Sequence, residues 1–168
     1  MSEKRIICLL ITIMALMSAS GALGQQQKGD SQLQIQGSLN LDLSGDSEDS
    51  GIAVLSWGRF FTDNQEAGIS LSAVIVSDGD FAGFGGPFWR YNFGNGKTVP
   101  FIGASAAASF GDFSTGSDFL LTFEGGVRWF LERNIALSLS GTTTYDIDNS
   151  DFNDQLQVLF GFSYFWQK

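Results

Sequence analysis

Strand-length segments recur along this chain in which every second residue is large and apolar, with Gln, Ser, Thr, Gly or an isolated charge between. In the first of them Leu33, Ile35, Leu39, Leu41 and Leu43 share one face, and Gln32, Gln34, Gln36, Ser38, Asn40 and Asp42 share the other. A repeat of two is the signature of extended chain, whose successive side chains point to opposite sides. Alternation says which residues lie together and does not by itself say which face is enclosed. A greasy exterior around a polar interior is what a bilayer demands, and that inside-out arrangement is the expectation here.

The first 24 residues read as an export signal and stand apart from the fold. Lys4 and Arg5 form a basic start, Ile6 to Met17 an apolar stretch of signal-peptide length, and Ala22-Leu23-Gly24 the small residues of a cleavage site before Gln25. Cys8 lies inside the apolar stretch, where it reads as a discarded apolar residue and not as a lipid-modified cysteine. Residues 25–168 then form one domain, large enough for a small barrel.

That domain contains neither cysteine nor histidine, which excludes disulfide staples, thiol chemistry and imidazole-based catalysis or metal binding. After the signal no apolar run approaches the roughly 20 residues of a membrane-spanning helix. A chain of this kind crosses a bilayer only as a closed sheet, because an open edge leaves N–H and C=O groups unpaired in hydrocarbon.

Eight strands are predicted, near residues 31–43, 51–61, 66–77, 84–93, 98–110, 118–131, 134–145 and 154–166. Eight is an even number that closes up-and-down. Short connectors follow Phe61, Phe93 and Leu131, and long ones follow Leu43, Val76, Phe110 and Tyr145. Each short connector repeats one design: Arg59-Phe60-Phe61, Arg90-Tyr91-Asn92-Phe93 and Arg128-Trp129-Phe130 lead into tight turns carrying Asn or Gly, residues that tolerate left-handed backbone. Aromatics before such turns suit the headgroup level, with the arginine heads reaching water or the interior.

The long connectors, 44–50, 77–80, 111–117 and 146–151, are acidic and collect most of the net charge of −9. Their Asp46, Glu48, Asp49, Asp146, Asp148, Asn149 and Asp151 offer oxygen ligands for a hard cation. They lack the twelve-residue loop with its closing Glu that a dedicated calcium site uses, so they read as solvated charge. The same acidity argues against nucleic acid as a partner.

The last strand carries the most specific pattern. Leu156, Val158, Phe160, Phe162, Tyr164 and Trp166 share one face, and Gly161, Tyr164 and Trp166 resemble the C-terminal assembly signal of bacterial outer-membrane barrels, a glycine followed by two aromatics at alternate positions. The match departs from that pattern at Leu159, where a polar residue is usual, and at Gln167-Lys168, which follow the final aromatic. Taken with the signal and the eight segments, the chain resembles the small eight-stranded outer-membrane β-barrel superfamily of OmpA/OmpX type. The phrases Phe61-Thr62-Asp63-Asn64 and Gly126-Val127-Arg128-Trp129-Phe130 are similar to hairpins of such barrels. The resemblance implies an all-β, antiparallel, up-and-down transmembrane barrel with short periplasmic turns and longer acidic outer loops. It also implies residence in the outer membrane of a Gram-negative cell envelope, contact with outer-membrane lipid, and delivery by periplasmic chaperones and the barrel-assembly machinery. A monomer is expected.

An eight-stranded barrel has an interior about wide enough for side chains to fill. In strand six Thr122, Glu124, Gly126 and Arg128 alternate with Phe119, Leu121, Phe123, Val127 and Trp129, which points Glu124 and Arg128 inward. An unpaired charge there is costly, so Glu124 is expected in an interior polar network with Arg128, Arg90 or Arg59 that plugs and rigidifies the barrel, with a gate or conduction role as the second reading. Two strands resist a facing. Strand two sets Leu55, Trp57 and Arg59 against Ile52, Val54, Ser56, Gly58 and Phe60, a pattern that a bulge would explain. Strand five, rich in Ala, Gly and Ser after Pro100, leaves its facing undecided.

The functional expectation is a non-enzymatic integral outer-membrane barrel with a structural or surface-interaction role, without cofactor or metal. Small barrels that act as lipid-modifying enzymes or proteases use histidine with Ser, Asp or Glu, and no base-and-nucleophile constellation is present. A narrow pore or conduit for small apolar molecules is the alternative, porin-like in class but not in width. For it Phe81, Phe84, Phe113 and Phe152 would line an entrance or serve as interfacial anchors. A third reading, a soluble lipocalin-like barrel, requires the opposite facing, with apolar residues inside.

Overall fold

The computed structural model describes residues 26–40, 50–76, 81–111, 119–147, 151–152 and 156–167. The expected signal peptide, Phe113 and nearly all of the acidic connectors lie outside them. Eight long strands form the wall: β1 (Ser31–Asn40), β2 (Ser50–Phe60), β3 (Gln65–Val76), β4 (Phe81–Asn92), β5 (Thr98–Gly111), β6 (Phe119–Glu132), β7 (Ile135–Asp146) and β8 (Gln157–Trp166). Each pairs antiparallel with its sequence neighbour, and β1 pairs with β8 from Ser31↔Trp166 to Gly37↔Phe160, so the sheet closes. Between β7 and β8 the two residues Asp151–Phe152 pair with Asp146 and Tyr145. Closure removes the edge strands that hydrocarbon forbids.

The side chains sort by face as the alternation requires. Ile35, Ile69 and Phe160 are each more than half exposed, and Leu33, Leu55, Trp57, Leu71, Trp89, Ile102, Phe123, Leu137 and Phe162 join them on the outside. Gln32, Gln34, Gln36, Ser56, Glu66, Arg90, Asn92, Arg128, Ser138, Ser140 and Ser163 are buried inside. A continuous apolar exterior of this extent is an aggregation hazard in water and is matched solvent in a bilayer. The facing is the reverse of that needed by a soluble ligand-carrying barrel.

Strand two needs no bulge. Its pairing runs without a shift from Ser50 to Arg59 with β1 and from Ser50 to Phe60 with β3, and Ile52 and Val54 face the interior with Ser56, Gly58 and Phe60. The bulge sits instead at the end of β6, where the register with β7 shifts between Phe130 and Glu132. Strand five also has a definite facing: Val99 and Phe101 are buried inside, Ile102 and Phe110 are exposed outside. The β4–β5 register is kept across Pro87, although the pairs at Gly86 and Pro87 are absent from the ladder, because proline has no N–H to give it.

The short turns are built as their residues dictate. Thr62 Oγ1 accepts from the backbone N–H groups of Asn64 and Gln65 at 3.3 and 2.9 Å, and Gly94 adopts a positive φ of 95°. At this end of the barrel Phe60, Val99, Phe130, Ala136 and Phe165 form an apolar cluster inside the lumen. The segment before β1 crosses beneath it. Gly29 N–H donates to Phe60 O at 2.8 Å, Lys28 N–H to Asp63 Oδ1 at 2.9 Å, and the Gln26 amide to Gly94 O at 3.3 Å.

Candidate functional site

Above the apolar floor the lumen holds a cluster of four charges from three strands. Glu66 of β3 and Arg128 of β6 are fully buried, Arg90 of β4 is nearly so, and Glu124 of β6 is the most accessible of the four. Arg90 Nη2 donates to Glu124 Oε2 at 2.7 Å with Nε beside it at 3.2 Å, and Arg90 Nη1 donates to Glu66 Oε2 at 3.4 Å. Arg128 Nη2 lies 3.5 Å from the same Glu66 oxygen. Its Nη1 donates to Asn92 Oδ1 at 3.2 Å and to Gln26 Oε1 at 3.4 Å. Two carboxylates thus balance two guanidinium groups.

The network is boxed in by aromatic faces and amides. The Arg90 guanidinium carbon lies 5.1 Å from the Phe88 ring centroid and 4.9 Å from that of Phe101; that of Arg128 lies 5.4 Å from Phe101 and 5.3 Å from Phe165. These are cation–π distances. Around the carboxylates, Gln36 Nε2 donates to Glu124 Oε1 at 3.3 Å and to Ser140 Oγ at 3.1 Å, Gln34 donates to Ser138, and Gln32 to Ser163. Gly58 leaves the room that Glu66 fills: a Cβ there would meet Glu66 Oε1 at 2.5 Å.

The sequence-predicted residues are thereby placed. Glu124 meets Arg90 and not Arg128, which pairs with Glu66. Arg59 takes no part, being exposed on the outer face opposite Ser31 and Ala67. The reason is parity. Arg90 and Arg128 stand three residues before the outward Phe93 and Leu131 of their turns, whereas Arg59 stands two before the outward Phe61. With a side-chain repeat of two, one residue of spacing turns a side chain from lumen to exterior. The assembly-pattern residues lie at the β8–β1 seam: Gly161 pairs with Gln36, Tyr164 with Leu33 and Trp166 with Ser31. Sequence reasoning missed Glu66, Asn92 and Gln26. Glu66 had a legible signal, alternating with Gly68, Ser70 and Ser72 against Ile69 and Leu71; Gln26 had none, since its burial arises from a segment folded under the barrel.

On the other side of Glu124 the lumen opens into a cavity of about 360 Å³ toward the long connectors. Its lining includes Ile52, Val54, Val74, Phe84, Leu120 and Leu159 with Ser72, Thr122 and Thr144. Phe84, one of the four predicted entrance phenylalanines, is therefore in place there. Phe81 and Phe152 are located only as strand positions.

No family model and no curated protein matches the chain. Among solved structures, the N-terminal β-barrel domain of Pseudomonas aeruginosa OprF superposes with a TM-score of 0.62 at 15% identity, covering 84% of this chain and 100% of that one. A structure reported under de novo design of transmembrane β-barrels gives 0.58 at 12% identity, covering 84% and 98%. Neisserial surface protein A gives 0.58 at 14% identity, covering 82% and 97%. The fold is that of a small transmembrane β-barrel. The likeness of this barrel to OprF and the Neisserial protein extends over almost the whole of their solved chains and is a likeness of fold.

Proposed function

We propose that this chain is an integral protein of the bacterial outer membrane with a structural or surface-interaction role, non-enzymatic and monomeric. Its short turns face the periplasm and its acidic connectors face outside. The observation that carries the reading is the lumen between the two ends. A neutral network of two Glu–Arg pairs, backed by a five-residue apolar cluster and an underlying N-terminal segment, fills the cross-section on the short-turn side. An interior so occupied suits a rigid plug and leaves no wide aqueous path.

Expression with the signal in a Gram-negative host, followed by membrane fractionation and electrophoresis with and without boiling, tests the reading. Heat-modifiable migration in the outer-membrane fraction is the expected result; a soluble periplasmic product would overturn it.

A further inference from the structure

We propose that the cavity above the ionic network is a blind pocket for a small organic monocation: a compact apolar body carrying one ammonium group. The first observation is where the inside-out pattern breaks. Around this volume β1 and β7 present Gln36, Thr142 and Thr144, yet β2, β3, β4, β6 and β8 turn Ile52, Val54, Val74, Phe84, Leu120 and Leu159 into the same space. Unlike the side chains of the short-turn cluster, which fill their own space, these apolar side chains converge from five strands on an open volume and make a site for apolar atoms.

The second observation is size. At 360 Å³ the cavity falls within the range of small-molecule sites and equals about a dozen waters at ~30 Å³ each.

The third is charge. Arg90 is covered by Phe88 and Phe101 and commits three nitrogens to Glu66 and Glu124. Glu124 is 13% exposed, against 4% or less for the side chains of Arg90, Glu66 and Arg128. Its Oε1 accepts from Gln36 at 3.3 Å, with the Ser140 hydroxyl a further donor to the carboxylate, and Asp146 adds a second carboxylate to the lining. The lining therefore carries two carboxylates, Glu124 and Asp146, against one guanidinium, that of Arg90, which Phe88 and Phe101 cover. An ammonium donor fits that balance of charge better than a carboxylate does. This inference is independent of the surface role proposed above.

The test uses the folded, exported chain in lipid nanodiscs with isotope-labelled Ile, Leu and Val methyls, titrated with cyclohexylamine, cyclohexanol and cyclohexanecarboxylate. Saturable shifts at the Ile52, Val54, Val74, Leu120 and Leu159 methyls are expected with cyclohexylamine, weaker binding with the alcohol, and none with the carboxylate. Glu124→Gln should weaken the amine about tenfold, the loss of one charge-assisted hydrogen bond. Val54→Trp, which fills the volume from a wall outside the network, should abolish saturation. If Glu124→Gln does not fold, the three-probe series and Val54→Trp still decide. Equal binding of amine and carboxylate, shifts unaltered in Val54→Trp, or no saturation in the parent chain would each overturn the pocket.

Discussion

Glu66 holds the lumen together, because one carboxylate group serves both arginines. Removing one partner of a buried pair leaves the other charge uncompensated, which costs about 3–5 kcal/mol. Glu66→Gln should lower the stability of the folded barrel by about that amount, read by urea unfolding in phospholipid vesicles through tryptophan fluorescence. Glu66→Gln combined with Arg128→Met should recover part of the loss, since it removes the guanidinium that Glu66→Gln alone leaves stranded; a double variant no better than the single would refute the pairing. Arg59 provides the contrast. It lies at the end of β2, where a basic residue on the lipid face costs about 0–1 kcal/mol rather than the 2–4 of the midplane, so Arg59→Leu should change stability by less than about 1 kcal/mol in the same assay. Gly161 is constrained by space: a Cβ there would meet Gln36 Cγ at 2.5 Å and Ser138 Oγ at 2.6 Å. Gly161→Val is expected to reduce the folded, heat-modifiable fraction by crowding the β8–β1 seam.

Among the elements, β2 shows why facing was hard to read. Its inner face mixes Ile52 and Val54 with Ser56 and Gly58, so a search for one apolar and one polar face finds neither, and a bulge looks necessary. The strand is regular; what changes is the lumen, from a cavity at one end to a charged network and an apolar floor at the other. Position along the barrel axis is a tertiary coordinate that period-two reasoning does not contain. The same applies to the three Arg-bearing hairpins, whose shared composition conceals one residue of spacing. The segment 26–30 acts as a separate element under the floor. Its deletion should leave a heat-modifiable barrel with a lower urea midpoint, because Gln26 no longer caps Arg128 and the bond from Gly29 to Phe60 is lost. An unchanged midpoint would show that the segment adds nothing to the closed end.

For the molecule as a whole, closure and occupancy act together. Eight strands enclose an interior that side chains can fill, and here the filling differs by level. The expected outcome in planar bilayers is no stepwise ion current from the parent chain, since an ion would have to displace both the paired charges and the Phe60, Phe130 and Phe165 cluster. Regular conductance steps would favour the narrow-pore alternative over the plugged barrel.

The alternation, the eight segments and the short and long connectors were legible in the residues, because a strand's side-chain repeat of two is local and needs no partner. So was an inward Glu124, together with the need for a cation to meet it. Which arginine does so was decided by the tertiary structure: Arg90 and Glu124 are 34 residues apart and meet only because β4, β5 and β6 stand side by side in a closed wall of fixed register. Glu66 became the shared partner, Arg59 turned outward and Ile52 came to line a cavity for the same reason. Closure converts position along each strand into depth within one lumen, and depth determines which side chains meet.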